Sequence, residues 1–190
     1  MKQQALITSA NEIDVAEKKR LQDFASKVNK KPNPKSVKTN KLANNSKYLP
    51  IADIEMRLDS VFNGLWETRA FTTTVIVNEV VGHIELRVFH PVAHIWITRI
   101  GSAAVQIKLR SQRDSNGNKI PADVLDVSKK IVNTLQTDYP HLKAECIKNA
   151  AKSLGKFFGR DLNREEDLSF VSLNFDEATS ESAHDRLLKQ

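Results

Sequence analysis

Lys148, Lys152 and Lys156 recur at i, i+4 and i+8 in the segment HLKAECIKNAAKSLGKFFGR, residues 141–160, and on a helix that spacing stacks three ammonium groups along one side. Gly155 and Gly159 stand among them, leaving room for a backbone or a phosphate to approach closely. The lysines repel one another by about 0.2–0.5 kcal/mol per pair, and only Glu145, three residues before Lys148, offers relief. Such a row suits a polyanion, although a solvated helix face has the same composition. The opposite side of the helix reads as core, because Ile147, Ala150, Ala151, Leu154 and Phe158 follow the spacing by which a helix buries one face against a sheet.

Other residues with chemical capacity are less well placed. His90 and His94 lie four apart, a metal-ligand spacing on a helix, but Pro91 and the β-type residues around them predict a loop, and no motif supplies a third ligand. Asp53, Glu55 and Asp59 offer carboxylates for a magnesium-dependent nuclease, and a solvated helix face explains them equally. Cys146 is the single cysteine, which excludes an intrachain disulfide and reads as packing within the long helix. Nothing fits the G-x-x-x-x-G-K-[ST] phosphate loop: Gly155-Lys156 lacks the upstream glycine at the required distance, so no ATP-driven chemistry and no cofactor is expected. Phe71, Phe89 and Trp96 are the aromatic candidates for stacking on bases, with core packing as the commoner use.

The elements that must hold these residues follow from pattern. Residues 11–28 read as an amphipathic helix with Asn11 as its cap, a detached arm. Lys30 to Lys47, rich in Lys, Asn, Ser and Pro, reads as a flexible basic linker. After Pro50, IADIEMRLDSVF predicts a short helix ended by Asn63 and Gly64. Trp66–Val77, Val80–Phe89 and Ile95–Leu109 read as three antiparallel strands, with a hairpin turn at Asn78-Glu79 and a bulge at Gly101-Ser102. A polar loop is expected over 111–119, then a helix over Asp123–Thr134 ahead of the lysine-bearing one. The sum is an α+β fold, a three-stranded antiparallel meander flanked by helices in β-β-β-α order. Arg69, Arg87, Arg99, Lys108, Arg110 and Arg113 belong to the sheet region, and several are expected on its uncovered face.

A chain of 190 residues with 40% hydrophobic residues can build one core plus tails. Its charge of +6 is unevenly spread: residues 1–47 carry 11 Lys/Arg against 4 Asp/Glu, residues 48–160 carry 15 against 11, and residues 161–190 carry 3 against 8. The expected division is a basic arm and linker over 1–47, a folded domain over 48–160 and an acidic tail over 161–190. No run approaches the roughly 20 apolar residues of a membrane span, and no secretory signal opens the chain, so a soluble intracellular protein is expected.

From Tyr48 to Gly159 the chain resembles the single-strand DNA annealing proteins of the Rad-fifty-two superfamily, which includes the phage Sak recombinases. The likeness rests on CIKNAAKSLGKFFG, residues 146–159, where Lys148, Ala150, Lys152, Gly155 and Gly159 match the family helix; Asn149 departs, standing where a second basic residue is usual. YLPIADIEMRLDSVF, the Trp66-led hairpin and ITRIGSA over 97–103 are similar to the family's opening helix and strands. The resemblance implies a ring or filament of subunits that binds single-stranded DNA in a shared groove and anneals complementary strands without ATP. It implies a role in homologous recombination of a phage or prophage, in the host cytoplasm, beside a single-strand binding protein or an exonuclease. Lys148, Lys152 and Lys156, with Arg69, Arg87, Arg99, Lys108 and Arg110, would face the phosphates. The alternatives are a monomeric nucleic-acid-binding module and a metal-dependent nuclease.

Overall fold

The computed structural model describes residues 2–41, 43–120 and 126–164; the rest of the acidic tail, from residue 165, lies outside them, as do Asp123 to Leu125 at the start of an expected helix. Helix α1 (Lys2–Val28) leads through a 3-10 turn at Pro34–Ser36 into a hairpin of β1 (Lys38–Asn40) and β2 (Ser46–Tyr48). Helix α2 (Ile51–Phe62), strands β3 (Trp66–Ile76), β4 (Glu79–Phe89) and β5 (Trp96–Gln106), a small β6 (Gln112–Arg113) and β7 (Lys119–Ile120) hairpin, and helix α3 (Thr134–Lys152) follow, with a 3-10 turn at Lys156–Phe158. The fold is α+β around the antiparallel sheet β3-β4-β5.

The alternation read in β4 determines which face is covered. Val80, Gly82, Ile84, Leu86 and Val88 are buried under α3 and α2, whereas Glu79, Val81, His83, Glu85, Arg87 and Phe89 point to the other face. Leu142 and Cys146 of α3 join Val80 and Ile84 in one buried cluster; Ala150, Ala151 and Phe158 join Leu58, Phe62, Leu86 and Val88 in the other. Two glycines let the helix lie directly on the sheet. A Cβ on Gly101 would stand 2.0 Å from the Cys146 carbonyl oxygen and 2.5 Å from the Ala150 nitrogen, and one on Gly82 would stand 3.1 Å from Cys146 Sγ. Helix α2 packs on the same covered face beside the end of α3 through Ile54, Leu58, Val61 and Phe62, and Asn63 ends it in the left-handed region, as expected.

Several expectations need correction. Gly101 marks close helix approach, not a bulge: β4 and β5 pair without interruption from Glu79↔Gln106 to Phe89↔Trp96. The register shift sits in β3 between Arg69 and Thr72, where Ala70 has φ +48°. The β3-β4 turn falls at Val77-Asn78, one residue early. Residues 126–133 form a 3-10 turn at Val127–Lys129 and a bridge of Lys130 to Leu109, with no helix before Thr134.

Upstream, α1 is continuous from Lys2, so Asn11 is interior to it. Its end is not detached: Val28 is buried, and the Phe24 ring lies 6.0 Å from that of Phe62 and 4.2 Å from the His90 imidazole. The stretch expected to be a flexible linker is folded as well. Asn44 and Asn45 both take positive φ, the conformation a type I′ turn needs at its two central positions, and β1 pairs β2 from Lys38↔Tyr48 to Asn40↔Ser46. Leu49 and Val37 pack on the core, and Asn163 bridges back, accepting from Lys47 N at 2.6 Å and donating to Lys47 O at 2.8 Å.

Candidate nucleic-acid interface

The solvent side of α3 is bounded by the edge strand β5 and by the β1-β2 hairpin. On the β5 side, Asn149 Nδ2 donates to the Ser102 carbonyl at 2.8 Å, while Asn149 Oδ1 accepts from Lys152 Nζ at 2.9 Å. Asn149 thus ties the helix to the sheet edge and orients its neighbour. On the hairpin side, Lys148 forms an ion pair with Glu145 and stands 5.3 Å from the centroid of the half-exposed Tyr48 ring. Its side chain is only 11% exposed.

The expected row of three lysines is therefore broken. Helix α3 ends at Lys152, because Gly155 abuts the end of α1: a Cβ there would stand 2.2 Å from the Val28 carbonyl oxygen. Lys156 falls in the following 3-10 turn, 11% exposed and 3.6 Å from Asp161 Oδ2. Arg160, not expected from the sequence, folds back in its place. Its Nε donates to the Lys152 carbonyl at 3.1 Å and its Nη2 to that of Ser153, so a guanidinium covers the negative end of the helix dipole beside the exposed Lys152.

The sheet cations divide three ways. Arg69 and Arg87 do stand on the uncovered face, but Glu67 accepts from both at 2.8 Å, and Arg87 also lies 4.9 Å from the Trp96 ring centroid. Glu79 and Glu85 share that face, so it is not a positive surface. Arg99 is paired with Leu86 and hence lies on the other side, with α3. Gly82, opposite Ala103, contacts Leu142 and Cys146; Gly101 contacts Cys146 and Ala150. Each two-residue step back along β5 advances about one helical turn, so exposed Arg99, one step beyond Gly101, lies toward the C-terminal end of α3. Lys108 and Arg110 lie beyond β5; Lys108 is paired with Asp138 at 2.9 Å, and Arg110 N donates to the Lys129 carbonyl at 2.8 Å. Arg113 Nη1 donates to the Gly117 carbonyl at 2.7 Å.

Beyond α3 the basic surface continues into a groove of about 560 Å³ between the hairpin and the turn after the helix. Lys31, Lys47, Lys156 and Arg164 line it with Asp161, over a floor of Pro32, Pro34, Val37 and Leu162. Lys31, Lys47 and Arg164 were missed because composition alone does not reveal the hairpin that gathers them; the Asn44-Asn45 pair was the available signal.

Three residues with chemical capacity, His90, Asp59 and Cys146, make structural contacts. His90 Nδ1 accepts from Ala93 N at 3.0 Å and Val92 N at 3.3 Å; burial, with His94 adding to it, holds this imidazole below its ordinary pKa. Asp59 Oδ1 accepts from Trp66 Nε1 at 2.7 Å. Cys146 is fully buried, its thiol 3.3 Å from the Gly82 carbonyl and its pKa pushed up chiefly by that burial. Phe71 packs at 5.5 Å from Tyr139, and Phe89 at 5.5 Å from the part-exposed Trp96. Among the described residues no helix is long and apolar enough to cross a membrane. No family model and no curated protein matches the chain.

Proposed function

We propose that this chain binds single-stranded DNA by its phosphates along the outer side of α3 and, as a ring or filament, anneals complementary strands without ATP in the homologous recombination of a phage or prophage. The observation that carries the reading is the cationic end of α3, where exposed Arg160 donates to the carbonyl of exposed Lys152, with exposed Arg99 on the side of β5 that faces the helix: three cations supplied by a helix, a turn and a strand. Lys148 and Tyr48 extend this surface toward the hairpin, where an aromatic ring beside an ammonium group suits a backbone-bound strand with an adjacent base.

Neutralising three phosphates on one subunit gives a salt dependence of slope about −2 and modest affinity; repetition along one strand multiplies it. Annealing then draws its free energy from the new duplex, the protein holding the backbone and leaving base edges outward. The test is fluorescence annealing of complementary oligonucleotides in the absence of ATP, alongside light scattering on the free protein. Accelerated pairing by a multi-subunit particle is the expected outcome. A monomer that binds strands and does not pair them would reduce the chain to a simple nucleic-acid-binding module.

A further inference from the structure

The groove beside the hairpin has a composition that bare DNA backbone does not fit. Its cations, Lys31, Lys47, Lys156 and Arg164, surround one carboxylate, Asp161, and the floor beneath them is apolar. Asp161 Oδ1 is buried and has no hydrogen-bond partner among the described residues, with Arg164 Nη1 at 3.2 Å; Asp161 Oδ2 is 3.6 Å from Lys156 Nζ. The lining itself thus holds four basic side chains and one acidic one. A complementary ligand brings more carboxylates together with apolar side chains, which is the description of an acidic peptide.

The chain carries such a segment next to the groove wall. Immediately after Arg164 come Glu165, Glu166 and Asp167, then LSFVSLNF over 168–175, then Asp176 and Glu177. We propose that residues 165–177 dock into the basic groove of their own chain and there compete with a DNA strand for the cations around α3. Tethering at Arg164 makes docking intramolecular, so weak contacts suffice. The groove adjoins the strand-binding surface, since Lys47 precedes Tyr48 and Lys156 follows Lys152 by four residues. The competition rests on the proposed DNA-binding function; the docking does not.

The experiment uses the full chain with Glu165→Gln, Glu166→Gln and Asp167→Asn, and a fluorescent synthetic peptide of residues 165–177. The peptide is expected to bind this variant saturably, to be released by salt, and to lose roughly tenfold in affinity when Arg164→Glu is added. The variant is expected to bind oligo-dT roughly threefold to tenfold more tightly than the parent at low salt, the two converging at high salt. A peptide that does not bind, or binds equally with Arg164→Glu, overturns the docking even if DNA binding is strong. A peptide that binds as expected to a chain with no affinity for oligo-dT upholds the docking and sinks the DNA-binding function instead. Equal DNA affinity of parent and variant at low salt overturns the competition.

Discussion

The lysines of α3 have different fates although their spacing makes them equivalent. Lys152 is exposed and its ammonium donates to Asn149, whereas Lys148 is packed between Glu145 and Tyr48. Lys152→Ala is therefore expected to weaken oligo-dT binding about threefold to tenfold and to lower the salt slope by about 0.7, with the thermal midpoint unchanged. Arg99→Ala should do the same, and Arg69→Ala should not, because Glu67 already answers that guanidinium; titrations at several salt concentrations check all three. His90 makes the stability of the fold depend on pH. Its Nδ1 accepts two backbone N–H groups, which requires the neutral ring, and burial and His94 lower its pKa. The unfolded chain thus takes up a proton before the folded one does. The stability is present in full above the ordinary imidazole value of about 6.5 and is lost as the pH falls through it toward the lower folded value. Thermal melts from pH 8 to 5 should show a falling midpoint, and His90→Gln should flatten that dependence. At this scale the sequence revealed which side of α3 is buried, since Ile147, Ala150, Ala151 and Phe158 are all core. It did not reveal where the polar side goes, because periodicity assigns a direction from the helix axis and says nothing of the neighbour met there.

Elements were legible where one pattern dominated. The apolar period of α2 and the alternation of β4 specify their own faces, and both were readable in advance. Failures came where a neighbour decided the matter. Lys30 to Lys47 has too few apolar groups to fold alone, yet Val37 and Leu49 anchor it to a core built elsewhere. The sequence of α3 has the periodicity to run on to Arg160, and the end of α1 at Val28 stops it at Lys152. Gly101 drew attention as a possible slip in register, whereas its role is to let α3 approach. Gly101→Ala is therefore expected to cost about 1–3 kcal/mol or more, since its Cβ would meet backbone atoms that cannot rotate away. Gly117→Ala is the matched comparison: its φ of +83° imposes strain, but open space surrounds it, and a loss of about 1 kcal/mol is expected. Chemical denaturation of the two variants measures the difference.

For the whole molecule, the decisive quantity is how binding grows with strand length. Among the described residues, charge is distributed so that one subunit offers a compact cluster at the end of α3 and the basic groove adjoining it, while the uncovered sheet face is balanced by Glu67, Glu79 and Glu85. A single copy with such a cluster holds a strand weakly and gains nothing once the strand exceeds its own width. An assembly that lines up many clusters gains with each subunit engaged, because every contact after the first is intramolecular. Affinity for oligo-dT is therefore expected to rise by several orders of magnitude between ~6 and ~60 nucleotides, with the salt slope steepening in parallel as more counterions are released. Fluorescence anisotropy across a length series reads both quantities together. A plateau after the shortest strands, with a constant slope of about −2, would describe a protein whose cations act one subunit at a time, and annealing by joint presentation of a backbone would then have no physical basis.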